Sequence, residues 1–223
     1  MHPRPLLMLL ALLALPALAR AQGLEDYDYE NLHFSGVGVE LGHIWPASVE
    51  PTLALGLRAD LGYLGPNVRI VPRASFWSSR LKDTEVNELR ANLLGLCRDE
   101  ASNCLRELGE IRVSDLALGV DAHYTFPTDR VAVPYAGAGA ALHLLNGSGE
   151  AIDGTFVEDL LDALAPGLDL VGGVEVPLGA LRLFAEARGT LSPDVRYLGL
   201  GAGGSWSLPG RPAQRTPATG ARR

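Results

Sequence analysis

Nine ionisable side chains occupy positions where each could meet an opposite charge: Glu40, Arg58, Asp60, Arg69, Arg73, Asp121, Glu175, Glu186 and Arg188. Two pairs, Arg58 with Asp60 and Glu186 with Arg188, are two residues apart, a spacing that puts both side chains on one face of an extended strand. Brought together in a closed interior, carboxylates and guanidiniums form bidentate ion pairs, which is structural chemistry and not catalysis. Lys82 is the only lysine, so almost every basic residue carries the planar fork suited to pairing. An Arg-rich codon bias accounts equally well for that composition.

Other reactive constellations are weak. Gly199-Leu200-Gly201-Ala202-Gly203-Gly204 matches G-x-G-x-x-G, yet a dinucleotide site needs a helix directly after the glycines and an acidic residue downstream. Neither follows, so these glycines are assigned to the lumen side of a strand. His33, His43, His123 and His143 lack metal-ligand spacing, and no metal, cofactor or catalytic residue is assigned. His123 and His143 are placed facing inward, and neither lies in a His-x-Ser pattern. A lipid-modifying enzyme would need one of them beside a serine and a carboxylate on the outer face.

Cys97 and Cys104 lie in a stretch, residues 80–110, that reads helically through Val86, Leu89, Leu93, Leu94 and Leu96, then Leu105 and Leu108. On one unbroken helix they would be about 10 Å apart, beyond the reach of a disulfide. The expectation is two short helices joined by a turn at Arg98 to Asn103 and stapled by a bridge, since pairing is the default in an oxidising compartment. A second loop helix is expected over Thr155 to Leu164. Asn146-Gly147-Ser148 fits a glycosylation acceptor and is read as a loop turn.

The elements that must position these residues are strands. The chain has 223 residues, 47% hydrophobic and 20% charged, with Gly 26 and Pro 15 spread along it, which excludes disordered and disulfide-built classes and disfavours a helical bundle. Arg4, the apolar run Leu6 to Leu15 and Ala19-Arg20-Ala21 read as a secretory signal peptide over residues 1–21, cleaved before Gln22; the run is too short to span a bilayer as a helix. Without Arg4 and Arg20 the chain keeps 17 basic against 26 acidic residues, a balance that repels nucleic acid. Residues 22–30 read as a flexible leader and 209–223 as a disordered basic tail.

Between them the pattern alternates with period two. Leu53, Leu55, Leu57, Ala59, Leu61 and Tyr63 share one face, opposed by Thr52, Ala54, Gly56, Arg58, Asp60 and Gly62. Eight strands are expected, at roughly 31–44, 51–63, 67–79, 111–126, 131–144, 167–177, 181–191 and 195–208. The first changes phase near Phe34, the third carries Pro72 on its apolar face, and the fifth has mostly Ala there. Connections after strands two, four and six are short; those after one, three and five are longer.

The second face decides where such strands belong. A solvated face would carry Lys, Glu, Thr and Ser, whereas here it is mostly Gly and Ala with isolated charges, as suits the narrow interior of a closed barrel. The apolar face then meets lipid, giving an all-β, eight-stranded antiparallel up-and-down transmembrane β-barrel with two short helical loop inserts. Tyr63, Phe76, Tyr124, Phe126, Trp45 and Trp206 lie near strand ends, where interfacial girdles are expected. An interior of eight strands is filled by its own side chains, so a wide diffusion channel is not expected.

Pro134-Tyr135-Ala136-Gly137-Ala138-Gly139, Glu186-Ala187-Arg188 and Leu198-Gly199-Leu200-Gly201-Ala202-Gly203 give the chain a resemblance to the small eight-stranded outer-membrane barrels of Gram-negative bacteria, the group of the OmpA transmembrane domain, OmpX and the opacity-type adhesins. It covers residues 31–208. The resemblance implies outer-membrane lipid as surroundings, long external loops, and a structural or adhesive role with a host or envelope partner at those loops. Two departures stand out: the fourth external loop is minimal, and a tail follows Trp206 and Leu208. The alternatives are a soluble exported lipocalin-like carrier, a narrow pore and the lipid-modifying enzyme.

Overall fold

The computed structural model describes residues 32–96, 109–150 and 161–208. Eight strands run in order: β1 (Leu32–Pro46), β2 (Thr52–Gly65), β3 (Val68–Arg80), β4 (Arg112–Thr125), β5 (Val133–Ser148), β6 (Ala163–Leu178), β7 (Leu181–Leu191) and β8 (Arg196–Ser207), with the helix α1 (Asp83–Leu96) following β3. Each strand pairs antiparallel with its neighbour in sequence, and β1 pairs with β8 from Gly36↔Ser207 to Pro46↔Tyr197, closing the barrel. Closure leaves no sheet edge, which is what lipid demands of strands. No helix among the described residues is long and apolar enough to cross a membrane.

Side chains alternate in and out as the period-two pattern requires. Leu53, Leu55 and Leu57 point outward at roughly 60% exposure, as do Leu168 and Leu170, while Arg58, Arg73, Asp121 and Asp169 are buried inside. An apolar belt this extensive is not a water-facing surface. Trp45 and Phe76 lie outside toward the long-loop rim, and Phe34, Tyr124, Phe126 and Trp206 lie outside toward the opposite rim, where β1 begins and β8 ends. Apolar side chains facing out and charges facing in make this an eight-stranded transmembrane β-barrel.

Four local departures have physical causes. In β2 the alternation breaks at Gly62, whose φ of 76° suits glycine and whose amide donates to Asp60 Oδ1 at 2.8 Å. The β2–β3 ladder skips from Arg58↔Arg73 to Tyr63↔Arg69, so this bulge brings Tyr63 opposite inward-facing Arg69 and off the lipid face expected for it. Pro72, which has no N–H to give, sits within that gap. β6 begins at Ala163 instead of residue 167 and runs through Pro166, where no β7 partner is yet present because that ladder starts at Leu168↔Leu191. This early start also removes Ala163 and Leu164 from the expected second loop helix. β5 extends to Ser148, so Asn146-Gly147-Ser148 is strand and not turn; Asp162 Oδ1 accepts from the Gly147 amide at 2.9 Å and from Asn146 Nδ2 at 3.2 Å.

The phase change near Phe34 coincides with a register shift between Leu32 and Gly36. Cys97, Cys104 and residues 155–160 of the expected second loop helix lie outside the described residues, while Leu161 is helical.

At the long-loop rim the connections are laced together. The Ala47 amide donates to the Arg196 carbonyl, Glu50 to Arg80, Lys82 to Ser48 and Leu81 to Ile111, all within 2.9–3.1 Å. Lys82 Nζ donates to the carbonyls of Pro46 and Ala47 at 3.0 and 2.6 Å, fixing the start of α1 against the β1–β2 loop. Val86 and Leu89 of α1 pack on buried Ile111 with Leu81 and Leu161.

Candidate functional site: the barrel lumen and its outer mouth

The strands bring the nine charged residues into one connected interior. Arg58 bonds both Glu40 and, at 2.8 Å, Glu186, with its guanidinium 3.5 Å above the Phe184 ring. Arg188 bridges Glu186 at 2.9 Å and Asp121 at 2.8 Å. Arg73 reaches Asp169 at 2.5 Å and Asp121 at 3.5 Å. Toward the short-turn rim Arg69 binds Glu175 at 2.8 Å and lies 3.8 Å from Asp60. Every predicted charge therefore has an opposite charge within reach.

Sequence reasoning passed over several members. Asp169 also accepts from Thr190 Oγ1 at 2.5 Å, Arg182 binds Asp60 at 3.0 Å, and Tyr135 donates to Glu186 at 2.7 Å. Asp115 is fully buried and accepts from Trp77 Nε1 at 3.1 Å, with His143 Nδ1 2.8 Å away. The signal was present: Asp169 shares parity with Glu175, Asp115 with Asp121, and Arg182 with Glu186 and Arg188. Counted with these, the interior carries five arginines against seven carboxylates.

The glycines of the lumen face are the space these groups occupy. A Cβ on Gly139 would collide with the Asp121 carboxylate and lie 2.7 Å from the Val120 carbonyl, and one on Gly173 would lie 2.7 Å from the Tyr135 ring. The final glycine run, 199–204, lies wholly inside β8, with no helix behind it. This is a strand and not a phosphate cradle.

His123 and His143 are both fully buried in the lumen. His123 stacks on Tyr135 with ring centroids 4.9 Å apart. His143 has a carboxylate partner, but inside the barrel, and no described serine bonds to its Nε2. The enzyme alternative asked for that arrangement on the outer face. The lipocalin-like alternative fares no better, because the centre of the barrel holds ion pairs where such a carrier has an apolar cup.

Above the charges, the outer mouth is closed by an apolar cluster of Ile44, Val49, Trp77, Val113, Leu145, Val195 and Tyr197. Over it, between α1 and the β7–β8 loop, lies a cavity of about 350 Å³.

Fold and lumen together define the class: a small eight-stranded outer-membrane-type β-barrel with a filled interior. Solved structures of that class are similar to it. The chain matches the crystal structure of Neisserial surface protein A (NspA) at 17% identity and a TM-score of 0.52, over 78% of this chain and 97% of that one. Ail, the attachment invasion locus protein of Yersinia pestis, in complex with the heparin analogue sucrose octasulfate, matches at 12% identity and a TM-score of 0.44, over 78% and 97%. The N-terminal β-barrel domain of Pseudomonas aeruginosa OprF matches at 13% identity and a TM-score of 0.42, over the same shares. No protein-family model and no curated protein sequence matches this chain.

Proposed function

We propose that this protein is a non-enzymatic, non-conducting outer-membrane barrel that works at its outer rim in surface recognition or adhesion, delivered there by a cleaved signal peptide at residues 1–21. One observation carries the reading: ion pairs cross the lumen from Asp60 to Asp169, and the apolar cluster closes the mouth above them. With the interior filled, the loops and α1, laced into one rim, are the surface left to meet a host or envelope partner, while the apolar belt meets outer-membrane lipid. The nine charges of the lumen serve stability, and the proposed Cys97–Cys104 bridge would stiffen the β3–β4 loop.

Two measurements test this. In planar bilayers the purified barrel should give no steady single-channel current; a steady conductance would overturn the filled-interior reading. Displayed on a non-adherent Gram-negative host, it should raise attachment to epithelial monolayers, and replacing residues 83–108 by a short Gly/Ser turn should abolish the gain. Equal attachment by both chains would remove the loop from the mechanism.

A further inference from the structure

The cavity at the outer mouth combines two features that no structural role requires together. Its floor is apolar: Trp77, Val113 and Leu145 from the barrel, Val195 from the β7–β8 loop and Leu89 from α1. Its rim is acidic: Glu85 and Glu88 project from α1 and Asp194 from the β7–β8 loop, none of them ion-paired to a described residue. Among the described residues Arg196 is the single basic one lining the cavity, and its Nε is directed to the Ser192 carbonyl at 3.5 Å. At about 350 Å³ the space falls at the small end of ligand pockets.

We propose that this cavity is a binding site for a small amphiphilic cation, a molecule with an apolar chain or ring and one protonated amine. The apolar part would lie against the floor formed by Trp77 and Val195, and the ammonium would sit among Glu85, Glu88 and Asp194. An anionic amphiphile would bring its charge against three carboxylates, so charge sign sets the selectivity. The inference rests on the reading that the outer rim is the working face.

The test uses the full barrel in nanodiscs of zwitterionic phosphatidylcholine, with n-octylammonium, octanoate and octanol as probes. Trp45 and Trp206 face lipid, so Trp45→Phe and Trp206→Phe leave Trp77 as the only reporter. Octylammonium should change Trp77 emission saturably and bind about tenfold tighter than octanoate. Ala163→Phe, which fills the cavity wall, should abolish the saturable change. Glu88→Lys with Asp194→Lys, both at exposed positions, should reverse the preference toward octanoate without disturbing the fold. Equal binding of all three probes, unchanged binding by Ala163→Phe in a folded barrel, or an unreversed preference would each overturn the site. Loss of the site with attachment intact would leave the surface-recognition reading standing; probe binding by a conducting barrel would do the opposite.

Discussion

His143 Nδ1 lies 2.8 Å from Asp115 Oδ2, with both side chains fully buried, and the same oxygen accepts from Trp77 Nε1. One carboxylate thus joins three strands, β3, β4 and β5, directly beneath the apolar cluster. Asp115→Leu should cost about 1–3 kcal/mol for each donor left buried without a partner. Asp115→Asn, which keeps one acceptor oxygen, should lose less. Urea unfolding of the refolded barrel, followed by tryptophan emission, measures both.

The Arg58 guanidinium stands between half-buried Glu40 and buried Glu186. Arg58→Met removes the partner of Glu40 and leaves Glu186 with Arg188 and Tyr135, so the loss should fall at or below the roughly 3–5 kcal/mol typical of breaking a buried pair from one side. Adding Glu40→Gln and Glu186→Gln to that variant should recover most of the loss. A triple variant no more stable than Arg58→Met would show that the charges contribute nothing through their pairing.

Glycines on the two faces should respond differently to one methyl group. Gly139→Ala places its Cβ against Asp121 and the Val120 backbone, and should destabilise by about 1–3 kcal/mol, the usual cost of overpacking. Gly172 points outward with nothing within 4 Å of an added Cβ, so Gly172→Ala should be neutral within about 0.5 kcal/mol. Equal effects would mean that the interior is not tightly filled.

Leu57 lies near the middle of β2 and faces out. Leu57→Arg in a lipid-embedded barrel should cost about 2–4 kcal/mol, and Leu53→Arg, closer to the rim, should cost less, because the penalty for a charge falls away from the bilayer midplane. On a barrel surrounded by water both changes would be nearly silent. Unfolding from phosphatidylcholine vesicles separates the two situations, and faster migration of unboiled than of boiled protein on gels provides an independent check.

Much of the architecture was legible because alternation is a strong signal in a strand with one lipid face. β7 spans the same residues in sequence and structure, and Arg58, Arg73, Asp121 and Glu186 lie where parity puts them. What escaped did so for local reasons. Tyr63 changed sides because one positive-φ glycine inserts an extra residue, which no periodicity shows in advance. β6 starts before the expected residue 167 and runs through Pro166, and the missing β7 neighbour that lets proline sit there is a fact of register. The donors supplied by Tyr135, Thr190 and Trp77 to the charge cluster depend on which residues face one another across the lumen. Sequence spacing carries no information about that.

The ladder between β1 and β8 runs from Gly36 to Pro46 and from Tyr197 to Ser207. A chain stopped before β8 would present two raw margins to hydrocarbon, each a row of amides and carbonyls with neither water nor neighbour to satisfy them. Assembly in the membrane is therefore all or nothing: the first strand must wait, guarded by whatever receives the nascent protein, until the last has been delivered.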